Sequence, residues 1–331
     1  MAANPTDEML GLLSGYWYSQ VLYVMAELGI ADCLAAGPKT ADTLAQETRC
    51  DAVTLHRFLR ALASTGILRE VDPHTFGLTP LSETLRSDRL HSLRPVALLG
   101  GHPLHWQAWG NLLHSVRTGA AAFETTHGKG FFDALAEDHA LSAALQAGLG
   151  RLHEVDRDVV EALDLGRFER MVDVGGGAGE LSYRIASARP GASVILFDLP
   201  HVLALVPAAA RVDQVSGSFL EGVPRGGDAY FLKFVLHDWD DARAGRIHRN
   251  CRDEMQPDGR VFIIETVVPD DAASSTAKTH DINMLVLTGG RERTLDEYRS
   301  LFSTAGLELV RVSRTPQGVG MLETRRAKIS T

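Results

Sequence analysis

The stretch Phe231–Asp241, FLKFVLHDWDD, is an apolar run that ends in a histidine, an acid, a tryptophan and two more acids. It reads as a buried strand whose far end delivers an imidazole and carboxylates to one place. An imidazole, with an unperturbed pKa of about 6.5, is the side chain best suited to moving a proton near neutrality. Upstream, VDVGGGAGEL closes another apolar run with Asp173, and Gly175, Gly177 and Gly179 then let the backbone turn tightly under a ligand before a helix starts. A dinucleotide loop needs a third small residue where Glu180 stands, and a glutamate at a helix start is unwelcome beside a pyrophosphate. The next apolar run, SVILFDL, ends in Asp198, from which a carboxylate can accept hydrogen bonds from both hydroxyls of a ribose, although it also stands where it could N-cap the segment from Pro200. These strand ends point to a nucleoside ligand without phosphates.

Groups delivered this way need a sheet whose strands end along one edge. RMVDV, SVILFDL, VDQVSG, DAYFLKFVL and RVFIIETVV are β-branched, apolar runs separated by helical stretches, which predicts a Rossmann-like α/β sheet of parallel strands covered on both faces. LELVRVS and VGMLETR add two strands as an antiparallel edge. Residues 8–36 carry apolar side chains at helical spacing (Met9, Leu12, Leu13, Trp17, Val21). The segment from Thr40 reads as helix, turn, helix, a two-stranded wing with its tip at DPHT, and a helix beginning at Thr79: a winged-helix pattern. Residues 101–162 read as further helices, with a flexible, aromatic-bearing interruption at AAFETTHGKGFF. The expected organisation is a winged-helix-like domain over 1–95, a helical, pocket-forming linker over 96–162 and a ligand-binding catalytic domain over 163–331.

Composition narrows the partners. The chain has 331 residues, 45 % of them hydrophobic, enough for a large core, and a formal charge of -9, which disfavours a protein that works by neutralising phosphates. Between Lys39 and Arg94 eight basic residues face seven acidic ones, too even a balance for a DNA-binding footprint. Cys33, Cys50 and Cys251 are an odd number without a CxxC pair and fit a reducing cytoplasm. The amino terminus lacks a basic region before its apolar run, and no window approaches about 18 uncharged apolar residues, so neither export nor a membrane span is expected.

MVDVGGGAGEL, LFDLP, GSFLEGVPRGGDAYFLKFVLHDWDD, FIIETVVP and GGRERTLDEY together make the chain resemble the class I S-adenosylmethionine-dependent methyltransferases. Within that class it is similar to the small-molecule O-methyltransferases of the plant caffeate and bacterial polyketide type. The resemblance covers nearly the whole chain, including the winged-helix segment, which in that family serves dimerisation; it implies a homodimer, with S-adenosyl-L-methionine as cofactor and S-adenosyl-L-homocysteine as product. It implies that Gly175 and Gly177 lie under the methionine part, that Asp198 holds the ribose, that Leu199 and Phe219 line the adenine pocket and that Lys233 helps hold the cofactor. Asp173 at the strand end and Trp239 as a pocket wall complete the expected cofactor set. Ser218 stands where the family usually has an aspartate for the adenine amino group; a serine hydroxyl can still accept. The resemblance makes His237 the general base for a substrate hydroxyl, flanked by Glu265 at the end of FIIE and Glu292 in RERT.

A phenol of pKa about 10 facing an imidazole of about 6.5 leaves a mismatch of roughly 3.5 units, about 5 kcal/mol, so proton removal is expected to be coupled to methyl transfer. Trp109, Phe123, Phe131, Leu149, Met284 and Leu287 form an apolar set suited to a flat aromatic substrate, with Asp281 or Asn283 to orient a polar substituent. Asp238, Asp240 and Asp241 offer oxygen ligands for Mg²⁺, but the helix DARAGRIHRNC must begin there and N-capping accounts for one of them, so no metal is expected. Two other functions compete: a winged-helix regulator that senses a metabolite, which the charge balance disfavours, and a methyltransferase-fold relative with altered chemistry, against which His237, Glu265 and Glu292 argue.

Overall fold

The computed structural model describes residues 4–138, 141–142, 144–145, 148, 153–208, 211–271 and 275–328. Leu149, expected in the substrate pocket, lies outside them. The chain divides into two compact units, Met1–Trp106 with Asp138–Arg151 and Gln107–Glu137 with Leu152–Thr331. Among the described residues no helix is long and apolar enough to cross a membrane.

The first unit opens with the helix Pro5–Glu27, whose N-cap Asn4 accepts from the Thr6 amide. Only Met25 and Ala26 of this helix are buried, and Met9, Leu12, Leu13 and Trp17 all face solvent in the isolated chain. Helices Ala41–Thr48 and Ala52–Ser64 follow, capped by Thr40 and Asp51. They pack Leu44, Leu55, Leu59 and Leu62 with Phe76 into one apolar cluster. The wing has three strands rather than two: β1 (Lys39–Thr40) joins β2 (Leu68–Asp72) and β3 (Thr75–Leu78) in the order β1-β3-β2, all antiparallel. The next helix starts at Thr79, whose side chain shares a capping box with Ser82.

The second unit carries the expected sheet. Strands β4 (Arg170–Val174), β5 (Ser193–Asp198), β6 (Val212–Ser216), β7 (Ala229–Lys233) and β8 (Arg260–Glu265) are parallel. β9 (Val267–Val268) and β10 (Arg293–Thr294) form a separate parallel pair, and β11 (Leu307–Arg314) and β12 (Gly320–Arg326) close the antiparallel edge. The large sheet runs β11-β12-β8-β7-β4-β5-β6. Alternate residues pack opposite faces: Val172, Ile195, Tyr230 and Ile263 on one, Met171, Val194, Phe231 and Phe262 on the other. Strand order reverses between β4 and β7, and a crevice opens at the carboxyl ends of strands at such a point. Asp173, Asp198, Lys233 and Glu265 all lie at those ends.

Phe234, the residue after β7, is in the left-handed region (φ 52°), a conformation that costs a non-glycine residue about 1 kcal/mol or more. Its amide still donates to Ile264 O, but the chain then turns out of the sheet into a 3₁₀ turn over Leu236–Asp238. That turn carries His237 to the rim, and the pairing of β9 with β10 brings the segment before Arg293 back over the end of β8.

Phe231 is fully buried, opposite Phe262 in register and stacked on it at 5.1 Å. Phe231→Ala should therefore cost about 3–5 kcal/mol, the range for emptying a buried aromatic site, read as a lowered urea midpoint.

Candidate active site

The glycine loop is held from beneath and from the side. Asp173 is buried and accepts from Ser182 Oγ at 2.7 Å through Oδ2, while its buried Oδ1 has no hydrogen-bond partner. Burial pushes this carboxyl up to about 6, against the pull of Ser182 and Lys233. A Cβ on Gly176 would come within 2.4 Å of Leu196 Cδ1 and 2.7 Å of Asp173 Oδ2, so only glycine lets the loop lie this close to the strand ends. Asp198 does not cap the following helix, whose N-cap is Leu199. Its oxygens instead accept from the Gly177 amide (2.8 Å) and the Leu199 amide (2.7 Å), which ties the loop to β5. The result is a backbone cradle bordered by carboxylates, one with a free acceptor: it fits a ligand rich in donors or carrying positive charge, and opposes a phosphate.

His237 sits in the turn after β7, 8 % exposed. Its Nδ1 lies 2.9 Å from Glu292 Oε1 and 3.5 Å from Glu265 Oε2, and its Nε2 is 3.8 Å from Asp238 Oδ2. The two glutamates expected to flank the ring divide the work. Glu292 makes the hydrogen bond; Glu265 spends Oε1 on the Val235 and Leu236 amides (2.9 and 2.8 Å), holding the turn in place, and presents Oε2 to the ring as a charge. Burial opposes a charged imidazole here, but Glu265, Asp238 and Glu292 outweigh it and push His237 up to about 10. Burial in turn raises Glu265 to about 7 and Asp238 to about 6. Burial works on Glu292 the same way, but the hydrogen bonds from His237 and His280 prevail and hold it down at about 2.

The loop bearing Glu292 is locked to the turn by residues the sequence reading did not single out. Arg293, fully buried, donates to Leu236 O and Trp239 O (2.9 and 2.8 Å) and to Asp241 Oδ1. Asp240, not Asp241, N-caps the helix Asp241–Glu254, leaving Asp241 to balance this arginine. Arg291 N donates to His237 O at 2.8 Å, and a Cβ on Gly290 would stand 2.0 Å from that same oxygen. His280, on the helix Thr276–Leu287, places its Nδ1 2.8 Å from the Glu292 oxygen that His237 uses. His237, His280 and Glu292 have ligand-type atoms within 4.8 Å of one another, and both ring nitrogens lie at hydrogen-bond distance from one oxygen of Glu292.

Other expected site residues are redistributed. Asp281, expected to orient a substrate, accepts the Glu292 amide at 2.8 Å, and Asn283 accepts from Trp109 Nε1 at 2.9 Å. Lys233 forms an ion pair with buried Asp156 of the helix His153–Ala162, a partner with no motif to announce it. Phe123 and Phe131 are buried against each other edge to face at 5.2 Å. The next residue, Phe132, stacks on Trp239 at 5.7 Å, and Phe219 meets the same indole edge-on at 5.8 Å. The segment expected as a flexible interruption contains the helix Ala122–His127. Met284 and Leu287 are buried, and Leu199 and Ser218 are half-buried beside the loop end of β5 and β6.

The sequence profile of an O-methyltransferase domain matches residues 109–308, and that of an O-methyltransferase dimerisation domain matches residues 10–88. The chain is 41 % identical over 325 residues to phenazine O-methyltransferase PhzM of Lysobacter antibioticus, covering 96 % of this chain and 95 % of that protein. Among solved structures it is similar to LaPhzM (TM-score 0.92, 39 % identity, 98 % of this chain and 100 % of that one). It is also similar to NcsB1 from neocarzinostatin biosynthesis (TM-score 0.83, 30 % identity, 93 % and 96 %), crystallised with S-adenosyl-L-homocysteine and 1,4-dihydroxy-2-naphthoic acid. The carboxylate-bordered cradle fits such a cofactor, which carries ribose and amino donors and no phosphate. Asp198→Ala should weaken binding of S-adenosyl-L-homocysteine by about 1.5 to 3 kcal/mol, the range for hydrogen bonds to a charged group, measured by titration calorimetry.

Proposed function

The chain belongs to the S-adenosylmethionine-dependent O-methyltransferases of secondary metabolism, and from that premise we propose that it methylates a phenolic hydroxyl of an aromatic metabolite, with His237 as general base. The observation that carries this reading is the 2.9 Å bond between His237 Nδ1 and Glu292, which commits one ring nitrogen and leaves Nε2 for a substrate proton. When bound, the cofactor supplies an electrophilic methyl on a sulfonium. Asp198 would hold its ribose, Asp173 Oδ1 would accept one of its donors, and Leu199, Ser218, Phe219 and Trp239 would surround its base. A planar aromatic substrate is supported by NcsB1, which was crystallised with 1,4-dihydroxy-2-naphthoic acid.

The charge around His237 changes the proton balance of the reaction. An imidazole near 10 matches a phenol near 10, so the roughly 3.5-unit gap of the isolated groups closes and the reactive pair is imidazolium and phenolate. The same elevation means that one proton must first leave the resting site for water. Sign follows directly: the ring accepts only when neutral, so kcat/KM should rise with pH through the folded pKa, with an acid limb above the ordinary histidine value. His237→Ala should lower kcat by roughly 10² to 10⁴ with little change in cofactor affinity. A loss below about tenfold with a flat pH profile would instead assign the acceleration to proximity alone.

The assembly we propose is a homodimer closed by the amino-terminal helix. Leu12 is 76 % and Trp17 60 % exposed in the isolated chain, an apolar face of the kind that marks an interface, and it lies in the segment matched by the dimerisation domain. Light scattering at micromolar concentration should give twice the mass of one chain, and Leu12→Asp with Trp17→Asp should shift it toward monomer.

A further inference from the structure

We infer that His280 tunes the basicity of His237 by sharing the single Glu292 oxygen that holds it. The catalytic consequence rests on the general-base reading above; the coupling between the two rings does not. Glu292 Oε1 receives His237 Nδ1 at 2.9 Å and His280 Nδ1 at 2.8 Å, while its other oxygen is buried without a hydrogen-bond partner. The two rings are 5.9 Å apart between centroids. A carboxylate oxygen with two donors stabilises each less than it would stabilise one, and a proton on His280 would add direct repulsion.

Position separates the roles. The His237 side chain is 10 % exposed and that of His280 48 %, so the outer ring faces solvent while the inner one is enclosed. The charged and titratable groups around the pair come from every neighbouring element: Asp238 from the turn, Glu265 from β8, Glu292 and Arg293 from the returning loop, Asp281 from the helix of His280, and Tyr298 from the helix Leu295–Thr304. Arg293 is neutralised by Asp241, so among these groups His280 is the donor that competes with His237 for Glu292. Without it Glu292 would grip the inner imidazolium alone, and His237 would hold its proton to higher pH. The outer ring thus brings the base toward neutrality and holds Glu292 through a second hydrogen bond.

The test compares the native chain with His280→Leu, which removes the donor, and His280→Asn, whose amide nitrogen stands close to the place of Nδ1. The exposure of His280 makes both substitutions tolerable to the fold. In protein labelled with ¹³C at histidine Cε1, the titration midpoint of His237, assigned by its loss in His237→Ala, should rise by about 0.5 to 1 unit in His280→Leu and return close to the native value in His280→Asn. An unchanged or lowered midpoint in the leucine variant overturns the inference, as does an asparagine variant that shifts as far as leucine. The acid limb of kcat/KM, measured on the same proteins, should move with the midpoint. A midpoint that moves while the limb stays in place upholds the sharing of Glu292 and instead defeats the assignment of His237 as the base.

Discussion

The hydrogen bond between His237 Nδ1 and Glu292 Oε1 joins residues 55 apart in sequence, and the rest of the site is arranged so that it can form. His237 rides on a one-turn 3₁₀ segment after a left-handed Phe234, a strained exit from the sheet that would not hold its shape unaided. Three supports meet there. Glu265 takes the Val235 and Leu236 amides, Arg293 takes the Leu236 and Trp239 carbonyls, and Arg291 donates to the carbonyl of His237 itself. Gly290 lets the returning loop lie directly on that carbonyl, and the β9–β10 pair sets the register that brings Glu292 under the ring. The buried arginine is tolerable because carbonyls and Asp241 satisfy its donors; a lysine could not span the same set.

Two buried histidines show how far neighbours decide chemistry. His237, among Glu265, Asp238 and Glu292, is pushed up to about 10; His248, on the helix Asp241–Glu254, is driven down to about 3 by burial with Arg293 and Arg249 nearby. The first is held in its charged form by the carboxylates around it, and the second is a neutral ring packed edge to face on Phe302. Burial lowers both pKa values; at His237 the surrounding carboxylates outweigh it, whereas at His248 the guanidinium groups add to it. A similar balance appears at the glycine loop, where Lys233 at the end of β7 is paired with Asp156 and moderates the buried Asp173. An arrangement of so many acids is poorly matched to phosphate and well matched to a cationic ligand.

The covered parallel sheet was legible because it depends on local pattern: five β-branched runs separated by helices leave few alternatives, and the strand ends then had to share an edge, whereas the order of the strands is set by crossovers between distant stretches. The residues at those ends, Asp173, Asp198, His237 and Glu265, could be named from spacing and family motifs for that reason. The third strand of the wing was missed because Lys39–Thr40 is two residues long, too short for any periodicity. Of the neighbouring phenylalanines, Phe131 packs inward on Phe123 while Phe132 reaches Trp239, and apolar character alone does not say which way each faces.

What the sequence determined by itself was the class of fold, the edge at which chemistry gathers, and the residue types available there, since periodicity, turn glycines and strand-end acids are properties of contiguous stretches. What only the tertiary structure decided was who partners whom. Asp156 with Lys233, Asp281 with the Glu292 amide, Arg293 with the His237 turn, and His280 with Glu292 are contacts between separate elements, formed by crossovers and by the β9–β10 pairing. Protonation belongs to that second group as well. Whether an imidazole is held charged or neutral depends on the summed field of groups brought within a few ångströms by folding, and no spacing along the chain encodes that sum.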